Sequence, residues 1–297
     1  ETPKELLQQA HELGFNLMGV PEELGGMGNE WNPVTALLIA EALSHGDMGV
    51  ALAMLSPVGV INALAAFGTA EQQGQYLPYL VGDEFVSATI AITEPQPLFN
   101  PFELQTRAAR NADGYLLNGE KALVPLAGSA ELLLVAADVA GLGPRLFILE
   151  PGFEGLSITA EPAMGLRAAA MGRITLNNVQ LPAEAMLGGE PAGKHDEFDY
   201  PALMSRLRLG WCGLTLGSCQ AALDYVIPYV KERTAFGEPV AHKQAVAFMV
   251  ANMGIELDGM RLLAWRAAAR AGCVVLFKGQ DTVIATADGA CRIHSAV

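Results

Sequence analysis

The sequence predicts an α+β multidomain protein in the order helix, sheet, helix: an N-terminal α-helical domain over residues 1–83, a middle β-sandwich or barrel domain over 84–190, and a C-terminal helical bundle over 191–297. Three observations carry this reading. Helix-capping signals punctuate the first 83 residues, short apolar runs separated by turn dipeptides fill 85–182, and helical periodicity returns from residue 197.

Asn32 followed by Pro33 gives a cap and a first-turn proline, opening a helix whose apolar run ends near His45. Between it and the first helix, the glycine-rich stretch 19–28 reads as a surface loop without the dinucleotide-binding spacing. Residues 48–70 carry no charge and are long enough to span a bilayer. Gly49, Ser56, Pro57, Gly59, Asn62 and Gly68 interrupt them, however, and basic flanks are missing. The expectation is a buried helix pair broken near Ser56-Pro57. Thr69 with Gln72 forms a capping box for a helix through Leu80.

In the middle region Asp113-Gly114 and Asn118-Gly119 are hairpin signals, and 132–136, 146–149, 156–159 and 174–181 read as strands. A polar link, 188–196, leads to the last domain. There Val246, Met249, Val250, Met253, Leu257 and Met260 recur at helical spacing, a stripe expected to be bundle core, with a binding groove as the alternative. One long helix is expected to stop at Gly237, another to start after Pro239, and a last one to run over 283–297.

With 51% hydrophobic and 17% charged residues, the chain is not disordered or collagen-like. Its 32 acidic against 18 basic residues give a net charge of −14, which argues against a nucleic-acid partner. Cys212, Cys219, Cys273 and Cys291 form no CxxC pair and read as buried thiols of a reducing, intracellular compartment: cytoplasm, or mitochondrial matrix in a eukaryote. His11, His45, His195, His242 and His294 are far apart, so no metal site is expected. Walker, GxGxxG, HExxH and GxSxG motifs are absent. The first residue is Glu1 rather than Met, so the chain reads as incomplete.

Two segments suggest chemistry. In Ile92-Thr93-Glu94-Pro95, a threonine hydroxyl at a strand end suits a ligand, although it equally suits turn initiation. In 231–237, Arg233 and Phe236 at a helix corner, with Pro239 and Gln244 beyond, suit a phosphate plus an aromatic ring. Basic residues answering a helix dipole are the alternative.

Five motifs in order resemble the acyl-CoA dehydrogenase flavoprotein family: VPEELGGMG at 20–28, the helices AEALSHGDMGVALAM and FGTAEQQGQYLPYLVGDE, TIAITEP at 89–95, LNGEK at 117–121, and YVKERTAFGEPVAHKQAVAFMVANM at 229–253. The resemblance covers nearly the whole chain and implies the family's helical–β–helical fold. It implies FAD, with Thr93 contacting the flavin ring, Ile90 and Ile92 lining the same strand, and Arg233 and Phe236 reaching the FAD of a neighbouring subunit, Arg233 toward pyrophosphate. Gln244 matches a further cofactor contact, and Arg208 an arginine near the substrate's path into the site. The implied reaction is oxidation of an acyl-CoA to its 2-enoyl-CoA in a homodimer or homotetramer, with an electron-transfer flavoprotein as acceptor and no membrane span.

This chain departs from the pattern at named positions. The family's catalytic glutamate precedes the arginine matched by Arg208, where Leu207 stands here, or lies in a loop beyond the last helix, past Val297. No base is therefore identified. Leu123 and Pro125 replace a Trp-x-Thr element, tryptophan against the flavin and threonine on N5, and proline has neither hydroxyl nor N–H. Gln96-Pro97-Leu98-Phe99-Asn100 replaces small residues near a phosphate, and Ala235 a frequent hydroxyl. Two alternatives therefore stand beside the dehydrogenase: a non-catalytic or half-site subunit of a hetero-oligomer, and another flavin chemistry (oxidase or monooxygenase) on the same fold.

Overall fold

The structure, a computed structural model, describes residues 2–28, 31–191 and 198–270, and three short strands beyond them. His195 and Cys273 lie outside the described residues. The chain divides into two compact units, one of residues 1–31 and 52–204, the other of 32–51 and 205–297.

The N-terminal helices are α1 (Lys4–Glu12), α2 (Pro33–Gly46), α3 (Met48–Phe67) and α4 (Ala70–Leu80). The Asn32 side chain accepts hydrogen bonds from the N–H groups of Val34 (2.9 Å) and Thr35 (3.1 Å), and Pro33 takes the first turn, as the sequence predicts. The Thr69–Gln72 capping box forms in both directions. The expected break in α3 does not occur: the helix runs through Pro57. The proline removes one intrahelical bond. On the same helix Val60, Ile61, Ala63 and Leu64 are buried, and Ser56 Oγ donates to the carbonyl of Ala88 (2.9 Å). Packing on the flanking turns holds a helix that local propensity alone would interrupt. By length and composition α3 qualifies as a membrane span, but these buried contacts are those of a core helix.

The middle region is one curled seven-stranded sheet: β1 (Ala88–Ala91), β2 (Arg107–Asn111), β3 (Gly114–Val124), β4 (Leu132–Val139), β5 (Gly143–Leu149), β6 (Leu156–Ala160) and β7 (Gly172–Leu181). β5 pairs with one edge of β4. The other edge of β4 pairs in parallel with β1 through residues 132–135 and with β2 through 138–139, and the sheet continues through β3 and β7 to β6. Tyr115, Leu117, Leu133, Val135, Phe147, Ile174 and Val179 fill its interior. Asp113-Gly114 closes the β2–β3 hairpin, Asn111 pairing with Gly114. Asn118-Gly119 is not a second hairpin: it lies within β3, opposite a bulge in β7. Asn178, on the bulge, adopts φ +54° and its N–H bonds the Asn118 side chain (2.9 Å), so the asparagines are used along the strand rather than to reverse it.

In the second unit α5 (Tyr200–Glu232) packs on α2. Leu37, Leu209, Leu216, Leu257, Trp265 and Ala268 form its core, with α6 (Gln244–Arg270). Gly213 and Gly217 mark the close helix crossing. A Cβ on Gly217 would lie 2.0 Å from the carbonyl oxygen of Glu41 and 2.2 Å from Ser44 Oγ. α5 ends at Glu232, not Gly237: β8 (Thr234–Ala235) and β9 (Glu238–Pro239) form a small hairpin around Phe236-Gly237 before α6 begins at Gln244. Of the α6 stripe only Leu257 is buried. Val246 and Val250 are half-buried, and Met249, Met253 and Met260 are exposed, so the expectation of an all-core stripe fails. Cys212 is exposed and Cys219 half-buried, correcting the reading of buried thiols. The described residues of 283–297 do not form the expected helix. β10 (Val275–Lys278), β11 (Asp281–Ala285) and β12 (Cys291–Ser295) pair antiparallel there, in keeping with the β-branched Thr282-Val283-Ile284 run.

Gly217→Ala is expected to lower stability by about 1–3 kcal/mol through overpacking at the α2–α5 crossing. Gly210→Ala, with no atom within 4 Å of the added carbon, is expected to be neutral or to stabilise by up to about 1 kcal/mol. Chemical denaturation of the two variants checks this pair.

Candidate functional site

The first candidate segment forms an edge on the β-sheet unit. Along β1, Thr89 and Ala91 turn inward and are buried, while Ile90 and Ile92 alternate outward and stay half-exposed. Thr93 follows the strand, also half-exposed, while the buried hydroxyl left without a protein partner on this strand is that of inward-facing Thr89. The carbonyl of Thr93 accepts from the N–H of Ala122 (2.9 Å), which joins this edge to the end of β3. There the strand bulges: Ala122 and Leu123 together oppose Arg173 of β7. Leu123 takes φ +53° and leaves half its surface exposed. Leu126 (φ +53°), Leu166 (φ +52°) and Ala170 (φ +45°) are likewise left-handed, and the N–H of Leu126 bonds the carbonyl of Ala169 (2.9 Å). Four non-glycine residues in a conformation costing about 1 kcal/mol or more each thus gather in two adjoining turns.

A buried ion pair lies beneath that edge. Lys121 Nζ bonds Glu94 Oε1 (2.8 Å) and the carbonyl of Ile92 (3.1 Å). Glu94 also accepts from the N–H groups of Gln105 (2.7 Å) and Thr106 (2.8 Å). Side-chain exposure is 0% for Lys121 and 3% for Glu94. Burial pushes the Lys121 ammonium down to about 8, with the Glu94 bond opposing that shift. Burial acts to raise Glu94, but its hydrogen bonds from Lys121, Gln105 and Thr106 outweigh burial and hold the carboxyl below its ordinary range. The two residues fall in separate motifs, TIAITEP and LNGEK, that no local pattern joins. A signal was present: Tyr115, Leu117, Gly119 and Lys121 share the inward phase of β3, so a lysine on that phase needs a buried anion.

A third charged residue escaped the sequence reading. Glu161 Oε2 accepts the N–H of Leu123 (2.7 Å) and Oε1 pairs with Arg173 Nη2 (2.7 Å). Burial would raise this carboxyl, but the Arg173 and Leu123 bonds outweigh it and lower it.

The second candidate segment lies on the helical unit. Arg233 follows α5, is exposed, and its guanidinium makes no ion pair among the described residues. Phe236, at the hairpin tip with φ +55°, is 96% exposed. Lys243 pairs with Glu238 and lies 5.9 Å from the Phe236 ring centroid, bracing the hairpin. Gln244 is exposed at the start of α6, and Arg208 is exposed on α5 beside half-buried Leu207. Thr93, Ile90 and Ile92 therefore come together on one edge, and Arg233, Phe236 and Gln244 at one corner of the other unit.

An apolar strip ending in a half-exposed threonine fits the rim of a flat aromatic ring, and an exposed arginine beside an exposed phenylalanine fits a nucleotide diphosphate. The segment 96–100 fits a phosphate less well: Leu98 is fully exposed at φ +53°, and Phe99 offers no hydroxyl.

The helical–β–helical order is that of a flavin-dependent oxidoreductase scaffold. The N-terminal, middle and C-terminal domains of acyl-CoA dehydrogenase match residues 1–84, 89–179 and 202–275. Glutaryl-CoA dehydrogenase of Desulfococcus multivorans is 30% identical over 288 residues, covering 95% of this chain and 73% of that protein. Among solved structures, a glutaryl-CoA dehydrogenase bound to glutaryl-CoA has TM-score 0.75 at 30% identity, covering 88% of this chain and 67% of the other. PigA with FAD and proline has TM-score 0.77 at 26% identity, covering 90% and 70%. The chain belongs to the acyl-CoA dehydrogenase family, whose cofactor is FAD.

Glu94→Gln is expected to cost about 3–5 kcal/mol by leaving Lys121 charged and unpaired, and adding Lys121→Met to recover part of that loss. Denaturant midpoints of the single and double variants test it. With Glu94 held below its ordinary value of 4.5, its stabilisation is present above that value and lost as pH falls through the lower, folded-state one. Phe236→Asn places a residue that tolerates the left-handed turn. Apo stability should hold or rise by up to about 1 kcal/mol while FAD retention falls, read by thermal melting and flavin fluorescence.

Proposed function

We propose that this protein carries out FAD-dependent α,β-dehydrogenation of an acyl-CoA thioester, converting it to the 2-enoyl-CoA. The observation that carries the reading is the half-exposed Ile90–Ile92–Thr93 edge in a chain that is family-like along nearly its whole length. Ile90, Ile92 and Leu123 would pack on the ring and keep water from it, and Thr93 would hydrogen-bond its rim. Arg233 would hold the pyrophosphate of FAD bound to a neighbouring subunit, with Phe236 and Gln244 beside it, in a homodimer or homotetramer. Arg208 would lie along the substrate's path. Bound FAD supplies the acceptor for the hydride from the β-carbon. A carboxylate must take the α-proton, and Leu207 has no proton-accepting group, so position 207 does not supply the base. An electron-transfer flavoprotein is the proposed acceptor.

The apolar residues at 123, 125 and 207 favour a second reading: a half-site subunit that lends Arg233, Phe236 and Gln244 to a partner's flavin, or an oxidase. Anaerobic addition of mixed acyl-CoAs to the purified protein, followed in the visible spectrum, separates these. Bleaching of a yellow protein is expected for the dehydrogenase. A colourless or unresponsive protein supports the half-site subunit, and oxygen uptake coupled to substrate the oxidase.

A further inference from the structure

The mechanism above leaves Glu161 unused, yet its position is unusual. Its carboxylate is the acceptor for the N–H of Leu123, the left-handed residue of the β3 bulge, and the next residue back, Ala122, is bonded to Thr93. One carboxylate therefore ties the turn around Leu123, and through Ala122 the ring-facing edge, to the loop that precedes β7. The main chain of Glu161 is fixed as well, its N–H bonding the carbonyl of Met171 (2.9 Å). Arg173, directly opposite the bulge, pairs with the other carboxylate oxygen, so the turn carries a balanced pair of charges rather than a lone anion. The pair is partly sheltered, with side-chain exposures of 21% for Glu161 and 39% for Arg173, which limits screening by solvent.

We propose that Glu161 is a positioning residue for the flavin: it locks the strained 122–126 turn against the ring, and together with Arg173 it sets the local charge that fixes the reduction potential. This rests on the flavin reading of the Thr93 edge. Two-electron reduction of a flavin with uptake of one proton adds one negative charge to the ring system. A nearby carboxylate opposes that charge and a nearby guanidinium favours it. Removing either partner unmasks the other, so the two substitutions must move the potential in opposite directions. Loss of a purely structural contact would move both the same way or neither.

The test is an anaerobic redox titration of the FAD-loaded protein against a reference dye, with Glu161→Gln and Arg173→Gln beside the wild type. Both substitutions keep side-chain length, and the glutamine at 161 can still accept from Leu123. Glu161→Gln is expected to raise the reduced-to-oxidised flavin ratio at a fixed dye potential by about threefold or more, and Arg173→Gln to lower it by a similar factor. Glu161→Ala, which removes the acceptor too, is expected to weaken FAD retention in a fluorescence titration. Unchanged ratios in both glutamine variants, or shifts of the same sign, overturn the inference while leaving the flavin reading intact. A wild type that does not take up FAD overturns both. If Glu161→Gln does not fold, the downward shift in Arg173→Gln alone decides the charge argument.

Discussion

The buried contact between Glu94 and Lys121 is the constraint on which the half-exposed edge at the end of β1 depends. Taking an ammonium and a carboxylate out of water is costly, and the cost is offset as the remaining donors and acceptors are met. Here most of them are met. Lys121 also reaches the carbonyl of Ile92, and Glu94 also takes the N–H groups of Gln105 and Thr106. Those partners belong to the exit of β1, the entrance of β2 and the body of β3. The pair thereby fixes three segments that no continuous ladder joins at this point. Gly119 completes the arrangement: a Cβ there would stand 2.6 Å from Thr106 Oγ1, so the approach of the two chains requires glycine.

From that anchor the edge is built outward by backbone strain rather than by apolar burial. Ala122 and Leu123 share one position opposite Arg173, and the bulge turns Leu123 out while keeping Val124 in the core. The helical unit uses a similar device. Phe236 is held in a left-handed turn, at full exposure, by a two-residue hairpin and a braced lysine. In both places a large apolar side chain is presented where solvent would not choose it, which is the behaviour of surfaces shaped for a ligand or a partner.

The chemistry of the two surfaces differs. The sheet edge offers shape, one hydroxyl and a neutralised charge pair, suited to an uncharged ring system. The helical corner offers a free cation and an aromatic face, suited to a charged nucleotide tail. Pro125 offers neither a hydroxyl nor an N–H, and Phe99 offers no side-chain donor, so the polar groups offered on the two surfaces include those of half-exposed Thr93 and exposed Arg233.

What the sequence by itself determined follows from local rules. The Asn32 cap, the Thr69–Gln72 box, the Asp113-Gly114 hairpin and the strands 132–136 and 146–149 each depend on neighbours a few residues away, and each is present. The order of motifs likewise assigns Thr93 to the end of a strand and Arg233 to the end of a helix. What only the tertiary structure decided involves partners distant in the chain. Pro57 stays helical because the turns around it are buried, Asn118-Gly119 stays extended because β7 bulges opposite it, and the methionines of α6 stay exposed because the core takes only Leu257 from that stripe. The Glu94–Lys121 pair spans 27 residues and the Glu161–Leu123 bond 38, and no local pattern encodes either closure. A sequence can state that a lysine lies on an inward phase. Only the folded sheet states which carboxylate meets it, because that choice is made by register and bulge geometry rather than by propensity.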